Sequence, residues 1–234
     1  MTVTIGVLGG MGPAATGQFL VELAQATPAQ RDQDHFAVVM VEDPSIPDRT
    51  TAILQGSNAP LEPIRAGLER LVDLGADLLV VPCNTAFHFI DQFADELPVP
   101  VIHIVGATLD VAERISPKGA WLTATTGTVR TQLYQKAAAD RRYQLLKPDE
   151  AEQERIMAIV DLVKAGRLAE SGARYMEVAQ RLHARVPLPM VAGCTELPLA
   201  VQASGLPPQA AVSSLAALAR ATVTRASALR QART

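Results

Sequence analysis

The sequence has little of what marks several common classes of protein. It contains two cysteines in 234 residues, and its net charge of −3 with a pI of about 5.8 is slightly acidic. A surface that binds nucleic acid needs a basic patch, so this balance argues against a nucleic-acid partner. No apolar run approaches the roughly 18 residues of a transmembrane helix. The start of the chain also lacks the basic segment of a signal peptide. We therefore expect a cytoplasmic protein that does not cross a membrane.

Two motifs of cofactor-binding and metal-binding proteins are also missing. The turn Gly9-Gly10-Met11-Gly12-Pro13 follows a predicted strand but lacks the G-x-G-x-x-G spacing of dinucleotide sites, and its proline removes a backbone donor. The two cysteines do not form a C-x-x-C pair, which argues against a metal site and against a redox pair. We expect neither NAD nor a metal ion, and in a reducing compartment we expect both thiols to be free.

Short apolar runs alternate with helical patterns along the whole chain. Alternation of this kind predicts an α/β fold in which parallel sheets carry helices on their faces. An apolar fraction of 48% is ample for a packed core. Predicted strands cover residues 3–8, 37–42, 78–81, 99–105, 120–124 and 188–192, and predicted helices cover residues 14–26, 60–74, 85–95, 107–115, 125–139, 149–164, 167–185 and 208–231.

The two halves of the chain resemble each other weakly. The glycine turn around Gly12 matches the segment around Gly127, 115 residues later, and Cys83 matches Cys194, 111 residues later. Two different motifs at nearly one offset indicate a duplication. We therefore expect two similar parallel-sheet α/β domains related by a pseudo-two-fold axis. Their boundary lies near residue 104, and the active site lies in the cleft between them.

Both cysteines stand at the end of a predicted buried strand that leads into a helix. Open α/β sheets bind their ligands at the carboxyl ends of strands. Cys83 could be a nucleophile with His88 as its base, or each cysteine could be a small buried core residue. Two thiols facing each other could also transfer protons at carbon. A racemase removes a proton from one face of a stereocentre and returns one to the other face, and two acid/base groups do this without a cofactor.

Three polar positions have both a structural and a functional interpretation. Arg49 lies in a proline-stiffened loop, where it could pair with Asp48 at the surface or hold a substrate carboxylate. Thr126 follows a predicted strand and could help to cap the next helix or contact a ligand. Lys164 lies at a helix C-terminus, which favours a cation through the helix dipole.

The chain resembles the aspartate/glutamate racemase family, the cofactor-independent amino-acid racemases, and within it the aspartate racemase branch. The segments that carry the resemblance are residues 9–16, 27–35, 46–50, 75–77, 82–86, 124–128, 163–166 and 192–196, and they occur in the same order. The family implies a homodimer, no pyridoxal phosphate, and a C-terminal helix that packs back on the first domain. The domains would then comprise residues 1–103 with 208–234, and residues 104–207.

The resemblance also implies roles for individual residues. Cys83 and Cys194 would be the catalytic pair. Asn84, Thr85 and Thr195 would hold the α-carboxylate of a small dicarboxylic amino acid with backbone N–H groups, and Arg49 and Lys164 would meet its second carboxylate. Aspartate is the expected substrate, and glutamate is the second candidate. The implied substrate-binding residues are Met11, Arg49, Asn84, Thr85, Ala86, Thr126, Lys164 and Thr195.

The sequence departs from the family pattern at two places. Phe87 stands where the family usually has a histidine, which here comes one residue later at His88. Residues 210–213 replace an Asp-Pro pair of the family. Two alternatives remain open. One is an enzyme of the same fold that acts on another acid, of the maleate isomerase, hydantoin racemase or arylmalonate decarboxylase type, and the other is a non-catalytic acid-binding protein.

Overall fold

A computed structural model of the chain describes residues 2–233 and contains eight strands and eleven α-helices within them. The strands are β1 (Thr4–Gly9), β2 (Ala37–Glu42), β3 (Leu78–Val80), β4 (Val101–Ile102), β5 (Ala120–Thr123), β6 (Leu145–Leu146), β7 (Met190–Ala192) and β8 (Ala211–Ser213). The helices are α1 (Pro13–Ala26), α2 (Arg49–Leu54), α3 (Leu61–Asp73), α4 (Phe87–Ile90), α5 (Ile104–Ile115), α6 (Thr126–Arg130), α7 (Leu133–Asp140), α8 (Glu150–Lys164), α9 (Leu168–Arg185), α10 (Leu197–Ser204) and α11 (Ser214–Ala232).

The chain forms two compact units, each built on its own parallel sheet. The first unit runs up to Ile104 and resumes at Leu215, and the second comprises Val105–Ser214. The first sheet has the strand order β2-β1-β3-β4 and the second the order β6-β5-β7-β8. The expected fold class, two similar parallel-sheet α/β units, is confirmed.

The two sheets repeat one order of strands along the chain. In each unit the first strand is central and pairs with the second strand on one side and with the third on the other. Cys83 follows β3 and Cys194 follows β7, so each cysteine comes after the third strand of its own unit. The weak repeat in the sequence therefore corresponds to a repeat of topology.

Strands that are buried on both faces hold the centre of each unit. All three residues of β3 and of β7 are buried, as their short apolar runs predict. Trp121 of β5 belongs to the core of the second unit, where its Nε1 donates to the Val186 carbonyl at 3.0 Å and the Arg185 guanidinium lies 4.8 Å from its ring centroid. Within residues 2–233, no helix is long and apolar enough to cross a membrane.

Several predicted elements are shorter than expected or are broken. The predicted strand over 99–105 is limited to β4, and the helix predicted over 85–95 is limited to the single turn α4, followed by a 3-10 turn at Ala94–Glu96. Gln132, with φ of 59°, separates α6 from α7 within one predicted helix. A left-handed residue interrupts the helical hydrogen-bond pattern, and periodicity alone does not reveal it.

The closing helix begins later than predicted. Residues 211–213 form β8, which pairs with β7, and α11 starts only at Ser214. Pro207 and Pro208 precede this strand, and a proline has no N–H to continue a helix. Residues 208–214 therefore lie in the second unit, whereas the resemblance placed them with the first.

Candidate functional site

Most of the site residues expected in the first unit lie just past the carboxyl ends of its parallel strands. The three adjacent strands β2, β1 and β3 run parallel, so the segments that follow them leave the sheet at one edge. These segments carry Arg49 after β2, Met11 after β1, and Cys83 after β3. This edge is where open α/β sheets bind ligands.

The segment after β3 holds Cys83 in a tight, buried turn. The Cys83 side chain is 6% exposed, and its N–H donates to the Val81 carbonyl at 2.8 Å. Asn84, Thr85 and Ala86 are also buried, and the Asn84 carbonyl accepts from the N–H of Phe87 at 3.2 Å. The thiol and the three residues after it are therefore fixed by the local backbone.

Phe87, the departure from the family pattern, is a core residue. It is buried, and its ring lies 4.4 Å from the imidazole of His103, whose Nε2 is 3.2 Å from Asp91 Oδ1. His88 is half-buried on α4. The phenyl ring thus packs in the core beside His103.

The glycine turn after β1 lies against Asp43, which begins the loop that carries Arg49. Gly10 has φ of +90°, and a Cβ at this position would lie 2.3 Å from the carbonyl carbon of Asp43. Its N–H donates to Thr16 Oγ1 at 3.2 Å, and the neighbouring Met11 is buried. Only glycine combines this backbone conformation with so close an approach.

Arg49 is buried rather than placed at the surface. Its side chain is 9% exposed, and Nη1 donates to the carbonyls of Ile46 at 3.0 Å and Pro47 at 2.9 Å. Its Nε is buried without a hydrogen-bond partner. A buried guanidinium with an unused donor is suited to an anionic ligand, because an unpaired buried charge is costly.

In the second unit, Cys194 lies in a buried turn after β7. The turn is anchored by the N–H of Gly193, which donates to the Thr123 carbonyl of β5 at 2.8 Å. Cys194 is 3% exposed, and Thr195 is buried beside it. This edge of the second sheet corresponds in topology to the Cys83 edge of the first.

Glu196 is a partner of Cys194 that the sequence analysis did not single out. Cys194 Sγ donates to Glu196 Oε2 at 3.0 Å, and Thr195 Oγ1 donates to the same oxygen at 3.4 Å. Glu196 is 5% exposed. Its place two residues after the thiol was a signal for this contact, since a turn brings such side chains together.

The ring of Tyr134, on α7, packs against the backbone of Gly193, the residue before Cys194. A Cβ at Gly193 would lie 2.9 Å from Tyr134 Cε2, so the ring rests on the glycine backbone. The phenol is hydrogen-bonded to Thr108, and burial raises the pKa of Tyr134. The tyrosine is therefore neutral, and its ring sets the position of the turn.

Thr126 and Lys164 occupy different settings in the second unit. Thr126 is the first residue of α6, where its Oγ1 accepts from Gln153 Nε2 at 3.4 Å, while Thr125 provides the cap by accepting from the Thr128 N–H at 3.2 Å. Thr126 also follows β5, which adjoins β7. Lys164 is exposed at the last position of α8.

Within residues 2–233, no group of three or more His, Cys, Asp or Glu side chains is placed to hold a metal ion. Among the polar groups described above, the first unit contributes the Cys83 thiol and the Arg49 guanidinium, and the second contributes the Cys194 thiol and the Glu196 carboxylate. These are groups that move protons and bind carboxylates.

The fold of two parallel-sheet α/β units is shared with solved structures of aspartate and glutamate racemases. The solved structure of an aspartate racemase from Picrophilus torridus is 28% identical, with 96% of this chain and 94% of that chain covered and a TM-score of 0.85. A glutamate racemase from Bacillus anthracis is 18% identical, covers 99% of this chain and 82% of its own, and shares the fold with a TM-score of 0.69.

The chain belongs to the Asp/Glu/hydantoin racemase family, whose family model matches residues 8–222. A curated relative, the broad specificity amino-acid racemase RacX of Bacillus subtilis (strain 168), is 24% identical over 199 residues, which are 82% of this chain and 85% of the relative. Family membership and the fold support an amino-acid racemase, which is an isomerase.

Proposed function

We propose that the protein interconverts L- and D-aspartate without pyridoxal phosphate, with glutamate as a second substrate. The observation that carries the proposal is the pair of buried thiols, each in a turn after the third strand of its unit. The aspartate racemase of Picrophilus torridus supports aspartate as the substrate. The similarity to a broad specificity racemase favours a range wider than one amino acid.

The proposed reaction is a two-base proton transfer at Cα. One cysteine, as thiolate, takes the Cα proton and becomes a thiol, and the electron pair of the broken C–H bond stays on the substrate as a carbanion stabilised by its carboxylate. The other cysteine, as thiol, gives its proton to the opposite face and becomes a thiolate. Cys83 and Cys194 exchange these roles in the reverse direction, so the reaction needs no other proton acceptor.

Carboxylate binding would orient the substrate for this transfer. We assign the α-carboxylate to the backbone N–H groups of Asn84, Thr85 and Thr195, and the second carboxylate to Arg49 and Lys164. The buried guanidinium of Arg49, with its unpartnered Nε, supports this assignment. The remaining proposed contacts are Met11, Ala86 and Thr126.

Hydrogen exchange tests the reaction directly. With purified protein in D2O, and with no pyridoxal phosphate added, we expect the α-proton signal of L-aspartate to disappear from the NMR spectrum while D-aspartate accumulates. L-glutamate should react more slowly. Chiral chromatography of the same samples measures inversion separately from exchange.

Three outcomes of this experiment differ in meaning. Exchange without inversion would show that only one thiol works and would contradict the two-base reaction. Inversion of several amino acids at similar rates would indicate a broad specificity racemase instead of an aspartate racemase. No exchange with either acid would favour another reaction of the family or a binding protein.

We also propose that the protein is a homodimer that pairs through β2. Among residues 2–233, β1 is the only strand that pairs with β2, so β2 is an open edge. Val38 and Met40 are 40% and 44% exposed, and residues 37–41 carry no charge. Natural proteins protect such edges with charges or prolines, or they cover them.

Charges at the two ends of β2 favour a second copy of this chain as the cover. Two identical strands related by a two-fold axis must run antiparallel, which places the start of one opposite the end of the other. Arg230, whose guanidinium stacks on Phe36, stands at the start, and Glu42 and Asp43 stand at the end. Opposite charges therefore meet twice in this pairing.

Light scattering measures the mass of the particle in solution. We expect twice the chain mass of 24.9 kDa for the wild type and the single chain mass for Met40→Lys, because the new ammonium would be buried at the edge. Leu168→Lys, at an exposed apolar residue of the second unit, is the matched control and should stay dimeric. A dimeric Met40→Lys would place the interface elsewhere, and a monomeric wild type would overturn the dimer.

A further inference from the structure

The carboxylate of Glu42 lies over the glycine turn at the carboxyl edge of the first sheet. Glu42 is the last residue of β2 and stands opposite Gly9, the last residue of β1. A Cβ at Gly9 would collide with Glu42 Oε2 and with the side chain of Thr16. The missing side chain of Gly9 therefore leaves room for a carboxylate close to Met11, which is one of the proposed substrate contacts.

Glu42 is the acidic residue at this edge whose carboxylate is not part of a turn or a helix cap. The ends of β1, β2 and β3 and the segments that follow them carry three acidic residues, Glu42, Asp43 and Asp48. Asp43 Oδ1 accepts from the N–H of Ser45 at 2.9 Å and from its hydroxyl at 2.6 Å. Asp48 Oδ1 caps α2 by accepting from the N–H of Thr51 at 2.8 Å.

The surroundings of the Glu42 carboxylate favour a positively charged ligand group. Burial raises the pKa of Glu42, and the Thr16 hydroxyl and the Gly10 N–H beside it lower the pKa by a smaller amount. Among the groups of residues 2–233 that act on this carboxyl, none is a cation. A carboxylate that is partly shielded from water and has no cation beside it is stabilised when a ligand brings one.

An amino-acid substrate brings such a group. The contacts assigned above bind its carboxylates and leave its α-ammonium without an acceptor. We propose that Glu42 binds the α-ammonium of the substrate and so restricts the site to acids that carry a free amino group. This inference rests on the proposed racemase function. A neighbouring carboxylate also keeps the amino group protonated, and the ammonium withdraws electrons from Cα, which eases the loss of the Cα proton.

The same carboxylate disfavours acids that lack an amino group. Maleate and the arylmalonates carry two negative charges and no ammonium, so Glu42 repels them where it attracts an amino acid. Glu42 therefore argues against the maleate isomerase and arylmalonate decarboxylase alternatives, and it names free amino acids as the substrate class.

Titration calorimetry with L-aspartate and with succinate tests this role. Succinate has the two carboxylates of aspartate but no ammonium. Glu42→Gln keeps the size of the side chain and removes its charge, so the Kd of aspartate should rise about tenfold to a hundredfold, as expected for the loss of a hydrogen bond between charged groups. The Kd of succinate should stay the same or fall, because a repulsive charge has been removed.

Glu22→Gln is the matched control in the same unit. Glu22 lies on α1, where its Oε1 accepts from Gln18 Nε2 at 3.2 Å, and its loss should change neither Kd. An unchanged Kd for aspartate in Glu42→Gln would refute the proposal. Equal weakening of aspartate and succinate would also refute it, because the carboxylate would then only support the glycine turn.

The wild type decides if Glu42→Gln does not fold. It should bind aspartate at least about tenfold more tightly than 2-hydroxysuccinate, in which a hydroxyl replaces the ammonium. Similar affinities for the two would reject an acidic acceptor for the amino group. Binding is measured without racemisation, so the two proposals can fail separately. Selective loss of aspartate binding in a protein that does not racemise would reject the proposed function alone.

Discussion

Replacement of Cys83 or Cys194 by alanine should lower racemisation of aspartate by at least about a thousandfold, within the range that general acid–base catalysis contributes. Each thiol is the proposed acid or base on one face of Cα, and alanine can neither take nor give a proton. Both side chains are small and buried, so the substitution removes a single sulfur atom from a packed turn. The rate of inversion, followed by circular dichroism or chiral chromatography, measures the loss.

Exchange of the substrate Cα proton in D2O should distinguish Cys83→Ala from Cys194→Ala. A remaining thiolate can still remove the proton of the enantiomer that faces it and return deuterium to the same face. We therefore expect each variant to exchange one enantiomer with retention, and the preferred enantiomer to be opposite in the two variants. Exchange of the same enantiomer by both variants would contradict a two-base reaction.

Matched controls separate chemistry from packing. Thr222→Ala in the first unit and Ser171→Ala in the second each remove a buried hydroxyl that bonds to a helix carbonyl, from Leu218 at 2.8 Å and from Leu168 at 2.7 Å. These variants should retain most of the activity. A cysteine variant that racemised at the wild-type rate would refute the catalytic assignment of that thiol.

Substitution Arg49→Gln should reduce kcat/KM for aspartate by about tenfold to a hundredfold. The proposed contact is a hydrogen bond to a charged group, which contributes about 1.5–3 kcal/mol. The amino acid alanine, used as a test substrate, lacks the second carboxylate. The rate at which its Cα proton exchanges with solvent should not fall in the same variant. The comparison of the two substrates is the measurement, because a general disturbance of the Cys83 edge would lower both.

Another arginine of the first unit serves as the control for Arg49. Arg31 is exposed and pairs with Asp34 at 3.2 Å, so Arg31→Gln should leave both substrates unaffected. Equal losses for aspartate and alanine in Arg49→Gln would show that Arg49 supports the loop through the Ile46 and Pro47 carbonyls and does not select the substrate.

The sequence predicted the parallel sheets and the position of both thiols because these follow from local pattern. A buried strand such as β3 or β7 is a short apolar run, and the residue after it is necessarily at the carboxyl edge. Short strands with few apolar residues leave only a weak pattern in the sequence. β8, with the sequence Ala211-Val212-Ser213, is a strand only because β7 offers it an edge.

Contacts between distant segments could not be predicted from the sequence. Tyr134 rests on Gly193, and nothing in the sequence around either residue indicates the other. The burial of Arg49 likewise depends on how its loop folds back on its own carbonyls, so the local sequence favoured a surface arginine paired with Asp48 over a ligand-binding one.

The aromatic residues are divided between the two units so that the tryptophan and tyrosine signals report on the second unit alone. Trp121, Tyr134, Tyr143 and Tyr175 all belong to the second unit, and the five phenylalanines all belong to the first. Tryptophan emission and the absorbance bands of tryptophan and tyrosine therefore follow the second unit alone, whereas far-ultraviolet circular dichroism follows the helices of both. Coincident denaturation curves from these signals would show that the two units melt as one cooperative body. Separate curves would assign the order of melting without any label or added fluorophore.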